Sequence, residues 1–358
     1  MKMKKIILMF AFLVPFLLTK GQNDSSKVTA SGYVESYYAY SAFKDANGLI
    51  PFQYSYNESD KFAINTAFLK FKYSSERVRA NVGLHAGTYV NSNYSSEPGL
   101  LKNLNEANVG IKLCSNVWLD AGVLNSHIGP ETVVATDNWT LTRSLSAEGY
   151  PFYETGAKVT YSKTDKFSAS VLVLNGWQNI NDNNKNKAIG TQIVLSPRSN
   201  LSINWSTFYG EAYNVSDNDS SGNKNVSATD NRFYNDLYCT FQPGKKISLM
   251  LLFDYGIQQN FDYSENAQFF SETFMIRYKL SEKFFLCAKE DYYNNTQPVY
   301  GTFTSSNIIA TSLNFDYVPV KNCMLRLEGK MLNSDNNAFD NYNSNVNYVV
   351  TASLSASF

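Results

Sequence analysis

Apolar and polar residues alternate along the last stretch of the chain, Asn347–Phe358. From Tyr348 the even positions are apolar or aromatic, and from Thr351 the odd positions are threonine or serine. A period of two predicts a β-strand with one apolar and one wet face. In an open sheet this strand would be an exposed edge, which favours aggregation. Pairing with the first strand would remove that edge, so the pattern favours a closed barrel.

The same alternation recurs along the whole chain. It is clean in Val78–Thr88, where apolar residues alternate with arginine, asparagine, glycine and histidine. About sixteen segments have this pattern, each near the length that a tilted strand needs to cross a bilayer. The predicted strands are Val28–Tyr40, Lys61–Tyr73, Val78–Thr88, Glu106–Leu113, Val117–Leu124, Tyr153–Tyr161, Phe167–Trp177, Ala188–Leu195, Leu201–Gly210, Phe233–Phe241, Ile247–Gln258, Phe270–Leu280, Phe284–Tyr293, Ile308–Tyr317, Cys323–Met331 and Tyr348–Phe358.

The connections between these strands alternate in length. Seven are short and rich in turn-forming residues: Ser74–Arg77, Cys114–Asn116, Ser162–Lys166, Ser196–Asn200, Gln242–Lys246, Ser281–Lys283 and Val318–Asn322. Eight are long and rich in Asn, Asp, Ser and Gly: Ser41–Asp60, Tyr89–Asn103, Ser126–Pro151, Gln178–Lys187, Ala212–Asp230, Gln259–Ala267, Asn294–Asn307 and Leu332–Asn345. Short periplasmic turns and long extracellular loops are typical of an outer-membrane barrel. The fold class predicted is therefore an all-β, transmembrane, antiparallel up-and-down β-barrel.

Composition and charge agree with this fold and exclude other classes. Mean hydropathy is −0.30, and no apolar run long enough for a membrane helix follows the first twenty residues. Hydropathy of this kind suits a barrel in which every second residue faces water. The 31 basic and 31 acidic residues cancel, so there is no electrostatic case for a nucleic-acid partner.

The start of the chain resembles a secretory signal peptide. Three lysines precede the apolar stretch Ile6–Leu18, and Thr19 and Gly21 suit a small-residue cleavage site. We expect residues 1–21 to be removed and a single barrel domain to span residues 22–358. Four cysteines without a C-x-x-C pair, and only two histidines, predict neither a zinc site nor a cofactor.

Charged residues on the predicted wet faces are candidates for the wall of a pore. The basic candidates are Lys70, Lys72, Arg79, Lys112, Lys158, Arg232, Arg277, Lys279, Lys289, Arg326 and Lys330, with His85 beside them. The acidic candidates are Glu35, Glu106, Asp120, Glu154, Asp236, Asp254, Asp291, Asp316 and Glu328. The mixed signs predict weak ion selectivity. An alternative is that many of these residues pair across neighbouring strands.

The longest connection, Ser126–Pro151, is also the least polar. It contains isoleucine, valine, tryptophan and leucine between charged residues, and such a loop should not lie free in water. We expect it to fold into the lumen as a constriction that carries Glu131, Asp137, Arg143 and Glu148. The alternative is that it packs over the barrel mouth or against a neighbouring subunit.

Several motifs in the first half resemble those of OmpL-like β-barrel porins from Gram-negative outer membranes. They include Ser31–Glu35, Val78–Asn81, Gly87–Asn91, Leu119–Gly122, Ser126–Gly129, Trp139–Ser144, Tyr153–Lys158 and Leu174–Trp177. After about Leu195 the likeness is mainly barrel pattern, together with Phe358, which resembles the C-terminal signal read by the β-barrel assembly machinery. The resemblance implies a porin-like channel in the cell outer membrane, and it supplies no functional residues to carry over.

Pattern and resemblance together predict an outer-membrane porin, a passive diffusion channel for small hydrophilic solutes. Outer-membrane lipid would surround it, and a homotrimer is suggested only by analogy to the fold. The alternative is a structural or adhesive barrel that acts through its long loops. Catalysis is not expected, because neither histidine has a recognisable nucleophile and orienting acid beside it.

Overall fold

Sixteen antiparallel strands form a closed barrel in the computed structural model. The structure describes residues 26–182, 186–215, 228–259, 266–295, 307–341 and 343–358, without the side chains of 212–215 and 228–230. The strands are β1 (Lys27–Ser41), β2 (Phe62–Ser74), β3 (Val78–Ala86), β4 (Leu104–Cys114), β5 (Val117–Asn125), β6 (Tyr153–Thr164), β7 (Phe167–Leu174), β8 (Ala188–Arg198), β9 (Leu201–Val215), β10 (Ala228–Phe241), β11 (Ile247–Gln258), β12 (Ala267–Lys279), β13 (Phe284–Asn295), β14 (Asn307–Val320), β15 (Cys323–Ser334) and β16 (Val346–Ser357).

Each strand pairs with its sequence neighbours, and β1 pairs with β16 to close the ring. At the seam Tyr33 lies opposite Ser357, and the backbone N–H of Phe358 donates to the carbonyl of Gly32 at 2.9 Å. The carbonyl of Phe358 accepts from the N–H of Gly32 at 2.7 Å. The predicted closure is confirmed, and it satisfies backbone groups that an edge strand would leave unpaired.

Burial alternates along the strands, as period two requires. In β14, Ile309, Leu313 and Phe315 are exposed, whereas Asn314 and Asp316 are buried. The exposed large apolar residues cover the outside, where lipid would lie, and the buried polar residues face inward.

The connections also alternate as predicted, but several boundaries differ. β3 ends at Ala86, and a short helix, Thr88–Asn93, follows it, so the predicted strand end at Thr88 was wrong. Gly87, at φ 138°, makes the break. β7 ends at Leu174, and Trp177 lies in the loop beyond. No helix in the described part of the chain is long and apolar enough to span a membrane. The predicted signal peptide lies outside the described residues.

An apolar cluster fills part of the extracellular half of the barrel. Loop residues Ile50, Tyr56, Leu141, Leu145 and Phe339 pack there against inward side chains of the wall. These wall residues are apolar because they touch loops rather than water, which the simple alternation of wet and lipid faces does not anticipate. Loops therefore enter the lumen.

Candidate functional site

The segment Ser126–Pro151, which joins β5 to β6, lies inside the barrel. The backbone N–H of Leu141 donates to Oδ1 of Asn314 on β14 at 3.1 Å. Because β5 and β6 stand on the opposite side of the sixteen-strand ring from β14, this contact spans the lumen. The segment also contains a 3₁₀ turn, Ala135–Asp137, and a helical turn, Leu145–Glu148, which satisfy part of its backbone.

The start of this inward segment is held by His127. Its Nδ1 lies 2.8 Å from both carboxylate oxygens of Glu154 on β6, and its Nε2 lies 2.9 Å from the carbonyl oxygen of Thr207 on β9. A carboxylate and a backbone carbonyl both accept hydrogen bonds. Both ring nitrogens therefore donate, and the imidazole is protonated. Burial disfavours that charge, but the Glu154 carboxylate and the Thr207 carbonyl together outweigh burial and raise the pKa of His127.

Space for the His127 ring comes from Gly190 on β8. A Cβ at that position would lie 2.8 Å from Cε1 and Nε2 of the imidazole, closer than such atoms approach in proteins. The carbonyl of His127 is fixed as well, since it accepts from Gln192 Nε2 at 2.9 Å and from Ser206 Oγ at 2.7 Å. Three wall strands besides β5 thus hold one residue of the inward segment.

The middle of the segment is bound to β13, β14 and β15. Lys289 Nζ donates to Oγ1 of Thr140 at 3.1 Å and to the carbonyl of Thr142 at 2.7 Å. The hydroxyl of Thr142 donates to Glu328 Oε1 at 2.8 Å. Arg326 donates to the carbonyl of Asn138 at 3.2 Å. Charged wall residues therefore satisfy the exposed backbone of a segment that could not otherwise be buried.

The end of the segment is bound to β11 and β12. The hydroxyl of Tyr150 donates to Oδ2 of Asp254 at 2.8 Å, and Ser146 lies 2.5 Å from Ser271. Burial and the nearby Asp254 carboxylate hold the pKa of Tyr150 well above its ordinary value, so its hydroxyl stays a donor. The inward segment is thus tied along its whole length.

Two cavities lie beside the inward segment. One, of about 350 Å³, separates it from β2 and β4 and is lined by Phe68, Lys70 and Asn105 on the wall side. The other, of about 450 Å³, lies between Trp139 at the tip of the segment and the periplasmic turns of β6 to β11. Trp139 also packs against Met250, Met275 and Cys287. The segment therefore leaves space for solutes on the β2 to β4 side and below its tip.

The predicted pore-lining residues are all on the inward face of their strands, but they differ sharply in exposure. The buried ones are Glu35, His85, Glu106, Asp120, Glu154, Arg232, Asp236, Asp254, Lys289, Asp291, Asp316, Arg326, Glu328 and Lys330. The partly or fully accessible ones are Lys70, Lys72, Arg79, Lys112, Lys158, Arg277 and Lys279. Position in the alternation decides the face, whereas contacts with loops and with other wall side chains decide the exposure.

Several ion pairs on the inner wall skip a strand, and two of them pass over a glycine. Arg79 on β3 pairs with Asp120 on β5, with Nε 2.7 Å from Oδ1, across Gly110 on β4. Lys70 on β2 lies 2.5 Å from Glu106 on β4, across Gly83 on β3. The alternative interpretation of the wet-face charges, that they pair across strands, therefore holds for these two pairs. Each pair needs a residue without a side chain between its partners.

The four residues predicted for the constriction occupy different environments. Arg143 and Glu148 are buried and form an ion pair at 3.2 Å. Arg143 also stacks 4.2 Å above the Phe152 ring and donates to Ser55 Oγ at 2.7 Å. Glu131 accepts from the backbone N–H of Ser144 at 3.0 Å. Asp137 is exposed, and partial desolvation raises its pKa.

Sequence reasoning missed several residues of this site. The rings of Tyr89 and Phe152 flank the Arg143 guanidinium, and nothing in the local pattern marks either residue for that contact. The alternation marks Gly83 and Gly110 only as wet-face positions. A glycine at an inward position between charged residues of the two neighbouring strands could have indicated these ion pairs, because it allows side chains to reach across the strand.

The chemistry of the lumen is that of paired charges and hydroxyls. The four cysteines of the chain are free thiols, and within the described residues no three His, Cys, Asp or Glu side chains are grouped to hold a metal ion. Such a wall can hydrate and orient polar solutes.

Comparisons with known proteins agree with this geometry. A family model described as "Putative beta-barrel porin-2, OmpL-like" matches residues 27–358. No curated protein matches the sequence significantly.

Solved structures of outer-membrane channels have the same fold at low sequence identity. OmpT of Vibrio cholerae, in a trimer form, gives a TM-score of 0.62 at 9% identity, covering 94% of this chain and 100% of that one. The channel DcaP of Acinetobacter baumannii gives 0.61 at 12% identity, covering 95% and 99%. An anion-selective porin from Comamonas acidovorans gives 0.62 at 10% identity, covering 93% and 100%. With the family match across nearly the whole chain, these findings show that the protein belongs to the OmpL-like β-barrel porins of the outer membrane.

Proposed function

We propose that this porin is a passive diffusion channel for small hydrophilic solutes, with the inward segment Ser126–Pro151 as its constriction. The observation that carries the proposal is the pair of cavities, of about 350 and 450 Å³, beside a segment that crosses a sixteen-strand barrel. Barrels of this size enclose more space than their wall side chains fill. Solutes would pass beside the segment, where Glu131, Asp137 and Arg143 line the cavity of about 350 Å³ and Glu148 is paired with Arg143.

The partners that we propose follow from the two surfaces of the barrel. Its apolar outer face suits outer-membrane lipid, and Phe358 at the seam suits recognition by the β-barrel assembly machinery. A homotrimer is supported by the trimer form of the related OmpT fold. We propose no catalytic role, since the buried His127 is already committed to Glu154 and Thr207.

The test is single-channel conductance of the refolded mature protein in a planar lipid bilayer. Stable steps, on the order of a nanosiemens in molar salt, are expected for a water-filled pore of this barrel size. Folding and insertion would be checked independently by heat-modifiable mobility in gels. Silence from a barrel that is folded and inserted would overturn the channel proposal.

A second candidate function is favoured by one observation, the apolar packing of loop residues within the extracellular half of the barrel. Such packing suits a barrel that presents loops as a rigid surface for adhesion. The conductance experiment separates the two, because a plugged barrel carries no current. The polar inner wall and the two cavities favour the channel.

A further inference from the structure

On the inner wall, acidic and basic side chains differ in how accessible they are. Every predicted acidic lining residue is buried, and none exceeds 5% exposure. The accessible inward charges of the described strands are all basic, with side chains of Lys70, Arg79 and Arg277 between 21 and 34% exposed. A solute interacts with the accessible charges of the wall. A count of all inward charged residues therefore does not describe the electrostatic field along the path of the solute.

The carboxylates are buried because each already has donors. Glu328 binds Thr142 of the inward segment, Asp254 binds Tyr150, and Asp316 binds Arg326. On the other side of the barrel, Asp120 binds Arg79 and Glu154 binds His127. Loop contacts, including those of the inward segment, and ion pairs within the wall therefore remove the acidic half of the wall from the solute path.

Three accessible inward lysines remain without such partners. Lys72 on β2, Lys112 on β4 and Lys158 on β6 have no carboxylate oxygen within 4.0 Å among the described residues. They lie on alternate strands of the same side of the barrel, towards the periplasmic ends of β2 and β4. The exposed acid of the inward segment, Asp137, is a single charge against these three, and Glu131 is occupied by Ser144.

We propose that Lys72, Lys112 and Lys158 make the channel prefer small anions, such as carboxylates and phosphates, over cations. This rests on the proposed function, since it names the solute class of the same pore. Unpaired ammonium groups on a low-dielectric wall raise the local concentration of anions. The effect weakens with salt, because the screening length is about 10 Å at 0.1 M ionic strength. The competing expectation is weak ion selectivity, which was predicted from the mixed signs of all the inward charges.

The experiment measures reversal potential across a bilayer that separates two concentrations of potassium chloride. The wild-type channel should pass chloride in preference to potassium. The triple variant K72Q/K112Q/K158Q should lower the chloride-to-potassium permeability ratio roughly threefold or more, with conductance steps retained. Its barrel fold should be kept, because glutamine preserves most of the side-chain volume and none of the three lysines takes part in an ion pair.

The matched control is K163Q/K245Q/K283Q, which removes the same charge from exposed positions at the periplasmic rim. Those lysines lie at the end of β6 and in two turns rather than along the lumen, so the permeability ratio should change little. Conducting channels without anion preference, or a triple variant equal to the control, would overturn the inference while leaving the channel proposal intact. An absence of current from folded wild-type protein would instead overturn the proposed function.

Discussion

His127 and Glu154 form a buried ion pair, 2.8 Å between Nδ1 and the carboxylate, at the point where the inward segment leaves the barrel wall. The second ring nitrogen faces the Thr207 carbonyl, and Lys158 is the other charged side chain that acts on the ring. Loss of the proton would leave one acceptor without a donor and a carboxylate buried without its partner. Breaking such a pair is costly.

The pH dependence follows from the raised pKa of His127. The ordinary value is near 6.5, so the stabilisation is fully present below about that pH and is lost as pH rises through the raised pKa. We expect current fluctuations from the inward segment to increase as the pH rises above that ordinary value. In the variant His127→Gln, which cannot titrate, the fluctuations should be higher and independent of pH. The variant His85→Gln should keep the wild-type response, and a wild-type response in His127→Gln would contradict the assignment.

Deleting Thr136–Ser146 should enlarge the channel. The deletion removes the part of the segment held by Lys289, Arg326 and Glu328, so water replaces it in the lumen. Single-channel conductance should rise about twofold or more, since sixteen-strand barrels otherwise enclose an open lumen. The smaller change Trp139→Ala should raise conductance less, because only the tip of the segment is lost. Unchanged conductance in the deletion variant would rule out a constriction at this segment.

Gly110→Ala should destabilise the barrel by breaking a cross-strand ion pair. The added methyl carbon would lie 2.2 Å from Asp120 Oδ1 and 2.9 Å from Arg79 Cγ, so both side chains must move. A loss of about 1–3 kcal/mol in the free energy of unfolding is typical of overpacking, measured by urea titration in lipid vesicles. Gly329→Ala is the matched control, because nothing lies within 4 Å of its added carbon. Equal stability of the two variants would contradict the packing argument.

Substitutions at Phe358 and Gly32 distinguish recognition of the C-terminal residue from packing of its ring at the seam. A Cβ at Gly32 would lie 2.3 Å from the Phe358 ring, so Gly32→Ala disturbs the seat of the ring and keeps the aromatic residue. If assembly machinery reads Phe358, Phe358→Ala should lower the amount of folded barrel in outer membranes, and Gly32→Ala should assemble nearly normally. Equal failure of both variants would indicate that packing at the seam is what matters. Normal assembly of Phe358→Ala would contradict recognition.

The strands and the face of each residue could be predicted from the sequence, because both depend on a local period of two. The strand order followed from the short connections between successive strands. Ile309, Leu313 and Phe315 alternate with Asn314 and Asp316 whatever the rest of the chain does. Closure followed from the same pattern. The short helix after Gly87 was missed, since a six-residue element in a long loop has little periodicity.

The tertiary structure alone decided which inward charges a solute can reach. Lys289 and Thr140, whose side chains meet at 3.1 Å, are 149 residues apart, and His127 reaches Thr207 across 80 residues. No local pattern encodes such contacts, because they depend on where a loop crosses the lumen. The alternation of residues determined the wall. Long-range contacts with the inward segment, with other loops and between wall side chains determined that the carboxylates are covered while Lys72, Lys112 and Lys158 remain accessible.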